Sequence, residues 1–541
     1  KLDLGPWEQV FYGEFDGNGD YFPEMFIGRL PVADTNQLKN VVDKIIRYEK
    51  FEYADTNRFH ANAMITSGHD ASYADYMNGQ IKYMIENYLN RENNINGYHF
   101  YYPQTPQALH KESVINLINK GLSFVNYTGH GSSTAWLHIN IDTSDVRKLK
   151  NTNMYPFIIS NACQTSRFDM KSLGNSMVLA RNKGAIGFIG CSNDSYWNED
   201  FYWAVGVCSP SNSPTYETTG LGAFDRLFHT HGEPRSEWYT TMGQIVYSGN
   251  LSVSSSTTWR KKYYWETYNL VGDPSMIPII GTPDTFETIL PDTLPNGIKS
   301  WTFMAEPGSY IAVSKSGVLW DASHTKPSGS ITLKLPGVSD DSCLVVMTGQ
   351  NKIPLIKTIY FSNVARGFLN LAEARINDTS GNNDGKADFG ENLSVDLKIA
   401  NLGFTDSKNL YAKISSSSRY ITILSDSVMI GDLSAGNEIA VNSKLLLRVS
   451  ENIIDKSLVT LDVVLKDEFE TRELKIDFYI HAPDLDILGF YLNDSATGNG
   501  DQVANPGETF HLVFSVKNDG SSSTSGKFSI SSSDPEINIL E

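Results

Sequence analysis

Cysteine is scarce in this chain: there are four in 541 residues, Cys163, Cys191, Cys208 and Cys343, and no two form a C-x-x-C pair. Four is too few for a disulfide scaffold, and the spacing excludes a zinc knuckle or a thioredoxin-type redox site. Positive charge is short as well. Lys and Arg number 44 against 62 Asp and Glu, a net −18 with no basic stripe, so nucleic acid and anionic membranes are poor partners. No stretch approaches the ~20 consecutive apolar residues of a membrane span. What is present is core-forming material, 40% hydrophobic residues with 26 Phe and 27 Tyr, which suits packed domains and not disorder. At roughly 150 residues per domain, the length implies about three or four. The chain opens at Lys1-Leu2-Asp3-Leu4 without an initiator Met or signal peptide, and it stops in strand-like Ile537-Asn538-Ile539-Leu540. It is expected to be a fragment.

Two textures divide the sequence. From about residue 60 to 275, strand-like runs (61–67, 98–102, 122–127, 155–160, 185–189) alternate with helix-like runs (76–89, 113–119, 175–181). That rhythm predicts an α/β domain, a mostly parallel sheet with helices on both faces, whose sites form beyond the carboxyl ends of the strands. After Gly281-Thr282-Pro283, short alternating runs broken by Gly, Pro, Ser and Asp predict all-β sandwiches. An internal repeat follows: Asn377-Asp378 through Asn383-Asp384-Gly385 to Gly390-Glu391 recurs as Asn493-Asp494 through Asn499-Gly500-Asp501 to Gly507-Glu508. A period this long means tandem β-modules. The expected domains are therefore 1–281, 282–363, 364–482 and a truncated 483–541. The Asn/Asp/Gly-rich turns of the repeat have two readings, with side chains bonding their own turn backbone placed ahead of a calcium site.

Two segments at strand ends carry nucleophilic chemistry. Asn126-Tyr127-Thr128-Gly129-His130-Gly131-Ser132 follows one buried strand, and Ser160-Asn161-Ala162-Cys163-Gln164 follows another. If those strands are neighbours, imidazole and thiol emerge at one edge, where the imidazole takes the thiol proton and the thiolate attacks a carbonyl. The glycines beside His130 let backbone N–H groups approach an oxyanion. Taken singly, Cys163 also reads as a small buried hydrophobe and Gly-His-Gly as a turn. Asp70 is the candidate to orient His130, with Asp75 a less favoured substitute; a helix-cap carboxylate is the competing identity for both. The aromatic, acidic run from Ser195 to Trp203, read as a loop, describes either a packing cluster or a pocket for a long cationic side chain. In Asp16 to Glu24, oxygen donors alternate at Asn18, Asp20, the Phe22 carbonyl and Glu24, resembling a calcium-binding turn. His229 and His231 lack an evident third metal ligand.

These runs, together with Thr134-Ala135-Trp136, Ser195-Tyr196-Trp197, Glu199-Asp200-Phe201-Tyr202-Trp203, Tyr263-Tyr264-Trp265-Glu266, Gly272-Asp273-Pro274 and Gly308-Ser309-Tyr310-Ile311-Ala312-Val313-Ser314-Lys315, resemble the gingipain family of secreted cysteine endopeptidases (peptidase family C25), on its lysine-specific side. The resemblance covers about residues 8 to 362. It implies a caspase-like α/β catalytic domain followed by an immunoglobulin-like domain, with Cys163 as nucleophile, His130 as base and Asp70 orienting it. The backbone N–H groups of Gly131 and Cys163 would hold the oxyanion. Trp197 and Asp200 would be lid and floor of a lysine pocket, with Trp203 beside them. Asn18, Asp20, Phe22 and Glu24 would hold a structural calcium, Asn18 standing where an Asp is expected; no organic cofactor is implied. The family's N-terminal subdomain and propeptide precede the point where this chain begins. Secretion to the medium or cell surface by a type IX system is the implied location. Protein or peptide substrates are the implied partners, with surface protein or glycan for the β-modules. Two alternatives stand beside this: a sortase-like transpeptidase of the same secretion system, and a surface adhesin with an inactive peptidase domain.

Overall fold

The computed structural model describes residues 15, 21–53, 58–364 and 366–540. The chain forms two units, 1–286 with 347–355, and 287–346 with 356–541.

The first unit is built on six strands, β1 (Asn62–Ser67), β2 (Asn96–Phe100), β3 (Phe124–Thr128), β7 (Phe157–Asn161), β8 (Gly187–Cys191) and β9 (Tyr268–Val271), in the order β2-β1-β3-β7-β8-β9. All neighbours are parallel except β8 and β9, which run antiparallel. Three short strands, β4 (Gly131–Ser132), β5 (Ala135–Trp136) and β6 (Ile141–Asp142), form a separate small sheet after β3. The central strands are apolar on both faces, as a sheet covered twice requires. Successive residues feed two distinct cores. Ala63, Ile65, Phe124, Phe157, Ile159 and Ile189 enter one, while Met64, Val125, Tyr127, Ile158 and Phe188 enter the other. The first core is closed by α1 (Thr35–Glu49), α2 (Ala74–Asn87), α6 (Trp197–Ala204), α7 (Ala223–Phe228), α8 (Met242–Ser255) and α9 (Lys261–Thr267). The second is closed by α3 (Gln107–Lys120), α4 (Thr143–Val146) and α5 (Leu173–Leu179). The expected helices are present with shifted ends, and two elements depart from expectation. The 195–203 run is not a loop: α6 occupies most of it, with Glu199 and Asp200 in the first turn, where acidic side chains favour a helix start. β9 adds an antiparallel edge that the βαβα rhythm did not announce.

In the second unit, β10 (Thr293–Pro295), β12 (Tyr310–Lys315), β13 (Val318–His324), β15 (Ser342–Thr348) and β16 (Leu355–Ser362) form one sheet, and β11 (Ser300–Met304) pairs with β14 (Ser330–Lys334). Two four-stranded sheets follow. One is β17 (Leu369–Asn377), β18 (Asn392–Asn401), β22 (Glu438–Val449) and β20 (Ile421–Ser425); the other is β21 (Ser427–Leu433), β19 (Ser407–Ser415), β23 (Ser457–Lys466) and β24 (Thr471–Ile480). Leu393, Val395, Leu397 and Ile399 of β18 share one core with Val459, Leu461, Val463 and Leu465 of β23. Every second residue thus points inward, the period of a half-buried strand. Last come β25 (Leu485–Asn493) and β26 (His511–Asn518), an antiparallel pair.

Packing around α6 is tight. A Cβ on Gly249 of α8 would lie 2.1 Å from the Trp203 indole, which is fully buried. Gly249→Ala is expected to overpack this core and destabilise the first unit by about 1–3 kcal/mol, read as a lower midpoint in urea unfolding with an unchanged slope.

Candidate active site

The register of three parallel strands sets the site. Ser67 of β1 lies beside Thr128 of β3, and Thr128 lies beside Asn161 of β7. The ladder continues one rung past the strands: Gly68 N donates to Thr128 O at 2.9 Å, and Gly129 N to Asn161 O at 3.1 Å. Gly129 holds φ +150°, and a Cβ there would meet Gly68 N at 2.9 Å, so a side chain would part the strand ends. Just beyond these rungs come Asp70, His130 and Cys163, from three consecutive strands spaced about 4.8 Å apart.

Asp70 has two tasks. Its Oδ1 accepts from Ser72 N at 2.9 Å, capping the short helix Ala71–Tyr73. Its Oδ2 pairs with His130 Nε2 at 2.9 Å. Partial burial lifts its pKa, but the hydrogen bonds from His130 and Ser72 outweigh this and hold it below the usual carboxylate range. A proton on Nε2 facing Asp70 leaves Nδ1 as the basic nitrogen of His130. Tyr127 Oη donates to His130 O at 2.8 Å and to Leu137 O at 3.0 Å, which anchors the loop. Asp75 is exposed in the first turn of α2.

Cys163 precedes Gln164, whose φ of +60° turns the chain sharply after β7. A Cβ on Gly131 would lie 2.6 Å from Cys163 O, so the His130 loop and the Cys163 turn touch through backbone. Ser195 N donates to Cys163 Sγ at 3.3 Å. Burial pushes the thiol pKa up; the contact with Ser195 opposes this and the charge of Asp200 adds to it.

The same Ser195 donates through Oγ to Asp200 Oδ2 at 2.7 Å. Tyr264 and Tyr268 hydroxyls donate to Asp200 Oδ1 at 2.8 and 2.6 Å. Asp200 is only 4% exposed, and burial pushes its pKa up to about 6 against those three hydroxyls. Its neighbour Glu199 is also buried but is matched by Arg260 at 3.1 Å. Trp197 stacks on Tyr73 at 4.5 Å and meets the His130 ring edge-on at 5.0 Å. Trp203 stands apart from these: it lies in the core, its Nε1 donating to Asn250 Oδ1, and packs against Tyr268. Fully buried, it presents no face to a ligand.

Read from the sequence, several residues here receive no individual role. Ser195, Tyr264 and Tyr268 surround Asp200 from three separate segments. His138, at φ +59°, meets the His130 ring at 4.8 Å, and its Nδ1 is buried without a partner. Thr66 Oγ1 donates to Phe100 O, so it accepts from His110 Nε2, and His110 Nδ1 in turn accepts from His69 Nε2. This neutral chain steadies the loop that carries Asp70. Asn18 and Asp20 lie outside the described residues; the Glu24 carboxylate accepts from Phe15 N at 2.6 Å, and Phe22 packs edge-on to Trp265. His229 stacks on Trp238 and His231 on Tyr216. Among the described residues, no three His, Cys, Asp or Glu side chains gather as a metal cluster.

Residues 8–278 match the family model described as Peptidase family C25. Lys-gingipain HG66 of Porphyromonas gingivalis is 33% identical over 362 residues, 65% of this chain and 20% of the relative. Gingipain R1 of the same organism is 25% identical over 367 residues, 66% of this chain and 35% of the relative. The chain thus spans about a fifth of the Lys-gingipain it matches. A solved structure titled "Structure of Protease" superposes with TM-score 0.58 at 33% identity, covering 65% of this chain and 78% of that one. The crystal structure of the Arg-specific cysteine proteinase gingipain R superposes with TM-score 0.56 at 21% identity, covering 66% and 80%, a likeness of fold.

Since the charge of Asp200 adds to the rise in the Cys163 pKa, Asp200→Asn is expected to move the pH profile of Cys163 alkylation by iodoacetamide to lower pH. The rate series, with the alkylated peptide identified by mass spectrometry, checks this.

Proposed function

The chain belongs to peptidase family C25, and on that premise we propose that it is a cysteine endopeptidase that cleaves proteins after lysine. The observation that carries the reading is the shared contact of Ser195, which touches the Cys163 sulfur on one side and the buried Asp200 carboxylate on the other. A long side chain ending in a cation and seated on Asp200 would bring the carbonyl of its own residue beside the thiol. An ammonium supplies the counter-charge that three neutral hydroxyls do not. Neutral side chains would leave the carboxylate unpaired, which penalises them.

In this reading, His130 Nδ1 takes the proton of Cys163, and Asp70 holds the imidazole and stabilises the imidazolium that forms. The thiolate attacks the carbonyl carbon, and the oxyanion is met by the backbone N–H groups of Gly131 and Cys163. His130 then gives its proton to the leaving amine. Water, activated by the same imidazole, releases the acid from the thioester. Trp197 closes over the lysine stem. Burial that raises the thiol pKa makes the base necessary, because little thiolate would form unaided.

The wider reading takes 1–281 as a caspase-like catalytic domain, 282–363 as an immunoglobulin-like sandwich, and 364–482 and 483–541 as repeated β-modules that engage surface protein or glycan. The protein acts outside the cell or at its surface, exported by a type IX system, with a structural calcium in the turn of Asn18, Asp20, Phe22 and Glu24. Calcium there would supply charge neutralisation only and takes no part in the chemistry.

Fluorogenic peptides ending in Lys or Arg, offered with and without an amine acceptor, test the reaction. Hydrolysis after Lys that disappears in Cys163→Ala is expected; amine transfer without hydrolysis would establish the transpeptidase instead, and silence the inactive domain. Asp200→Asn is expected to cost about 2–5 kcal/mol, roughly 30- to 5,000-fold in kcat/KM for Lys peptides, with a much smaller loss for norleucine peptides. Protonation of Asp200 removes the counter-charge, so lysine recognition is expected to fall as pH drops through about 6, seen as a rise in KM.

A further inference from the structure

The connections β17–β18 (residues 378–391) and β25–β26 (residues 494–510) are long for antiparallel neighbours, which usually turn in about two to five residues. Both follow one oxygen pattern. In the first, Ser380, Asn382, Asp384, the Lys386 carbonyl, Asp388 and Glu391 stand at positions 1, 3, 5, 7, 9 and 12 of a twelve-residue calcium loop, with Gly385 at the sharp turn. In the second, Thr497, Asn499, Asp501, the Val503 carbonyl, Asn505 and Glu508 take those places. Gln502 replaces the glycine yet holds φ +64°, matching the left-handed turn of Gly385 at +87°.

Asp388 points to a ligand independently of the pattern. It is 3% exposed; its Oδ2 accepts from the Asn382 amide at 2.8 Å across the loop, while its Oδ1 is buried without a partner. A buried carboxylate oxygen lacking a donor is costly, and a cation removes the cost. The Glu391 carboxylate folds back over the loop entrance, accepting from Asn382 N at 2.8 Å and Asp388 N at 3.0 Å. It takes the space that a Cβ on Gly381 would need, 2.3 Å from Glu391 Oε1. Glu508 repeats this on Asn499 N and Asn505 N. The donor set mixes amide, carbonyl and hydroxyl oxygens with carboxylates, so it is not the gathering of three acids that is missing among the described residues.

We propose that loop 380–391 binds a calcium ion. Six or more flexible oxygen donors suit calcium and not magnesium, which demands a rigid octahedron. The ion would fasten the opening hairpin of its module. The inference is independent of the peptidase reading.

The test uses the full chain carrying Cys163→Ala, so that self-cleavage does not enter. Equilibrium dialysis with radiolabelled calcium at about 10⁻⁴–10⁻³ M is expected to show one ion fewer per chain in Glu391→Gln. Any ion bound at the Asn18–Glu24 turn stays in both counts and cancels. Trypsin nicking after the exposed Lys386 is expected to slow at least ten-fold on adding calcium, but not magnesium, in the chain without the loop substitutions. Equal calcium counts in folded Glu391→Gln and unsubstituted chain, or a nicking rate at Lys386 indifferent to calcium, overturns the proposal.

Discussion

A carboxylate sunk into a protein core without a cation beside it is an unstable bargain, and Asp200 is the group on which the rest of the first unit turns. Desolvation of an ionised carboxylate costs several kcal/mol. Three hydroxyls, from Ser195, Tyr264 and Tyr268, compensate only in part, as the pKa near 6 records. What they cannot supply is positive charge. The contrast with Glu199 is direct: one residue earlier on α6, that buried carboxylate has Arg260 and offers nothing to a ligand.

The surroundings of Asp200 depend on the whole sheet. Tyr268 opens β9 and Tyr264 lies in α9, directly before it in the chain. β9 pairs antiparallel to β8 with Cys191 opposite Tyr268, and Trp203 fills the space behind Tyr268. The reactive groups stand on the same scaffold, at the ends of β1, β3 and β7. Backbone pairing between Gly68, Thr128, Gly129 and Asn161 fixes their spacing before any side-chain contact forms. Asp70 shows how closely local and distant demands are joined: one oxygen starts a helix while the other orients an imidazole from the neighbouring strand.

Much of this was legible from residue order. Continuous apolar runs marked the doubly covered strands, and alternating runs the sandwiches, because burial on two faces or one writes a different period. His130 and Cys163 stood out because each follows such a run at the same distance. Asp70 was legible as a carboxylate after a third strand, and its competing identity as a cap proved to be a second role and not a rival. Trp203 misled because an aromatic beside an acidic residue reads alike whether it faces a pocket or the core; helical geometry turned Asp200 toward Ser195 and Trp203 toward Gly249 and Asn250.

By itself, the sequence determined which segments become strands, that the chain alternates before residue 281 and goes all-β after it, and that a thiol, an imidazole and a carboxylate follow three of the strands. Those are properties of neighbours along the chain, set by periodicity and turn chemistry. Only the tertiary structure decided that β1, β3 and β7 lie side by side, that Ser195 bridges sulfur and carboxylate, and that Tyr264, Tyr268, His138 and the His69–His110 pair surround them. Those contacts join segments far apart in sequence, chosen by how sheet and helices pack, and no local pattern encodes a partner a hundred residues away.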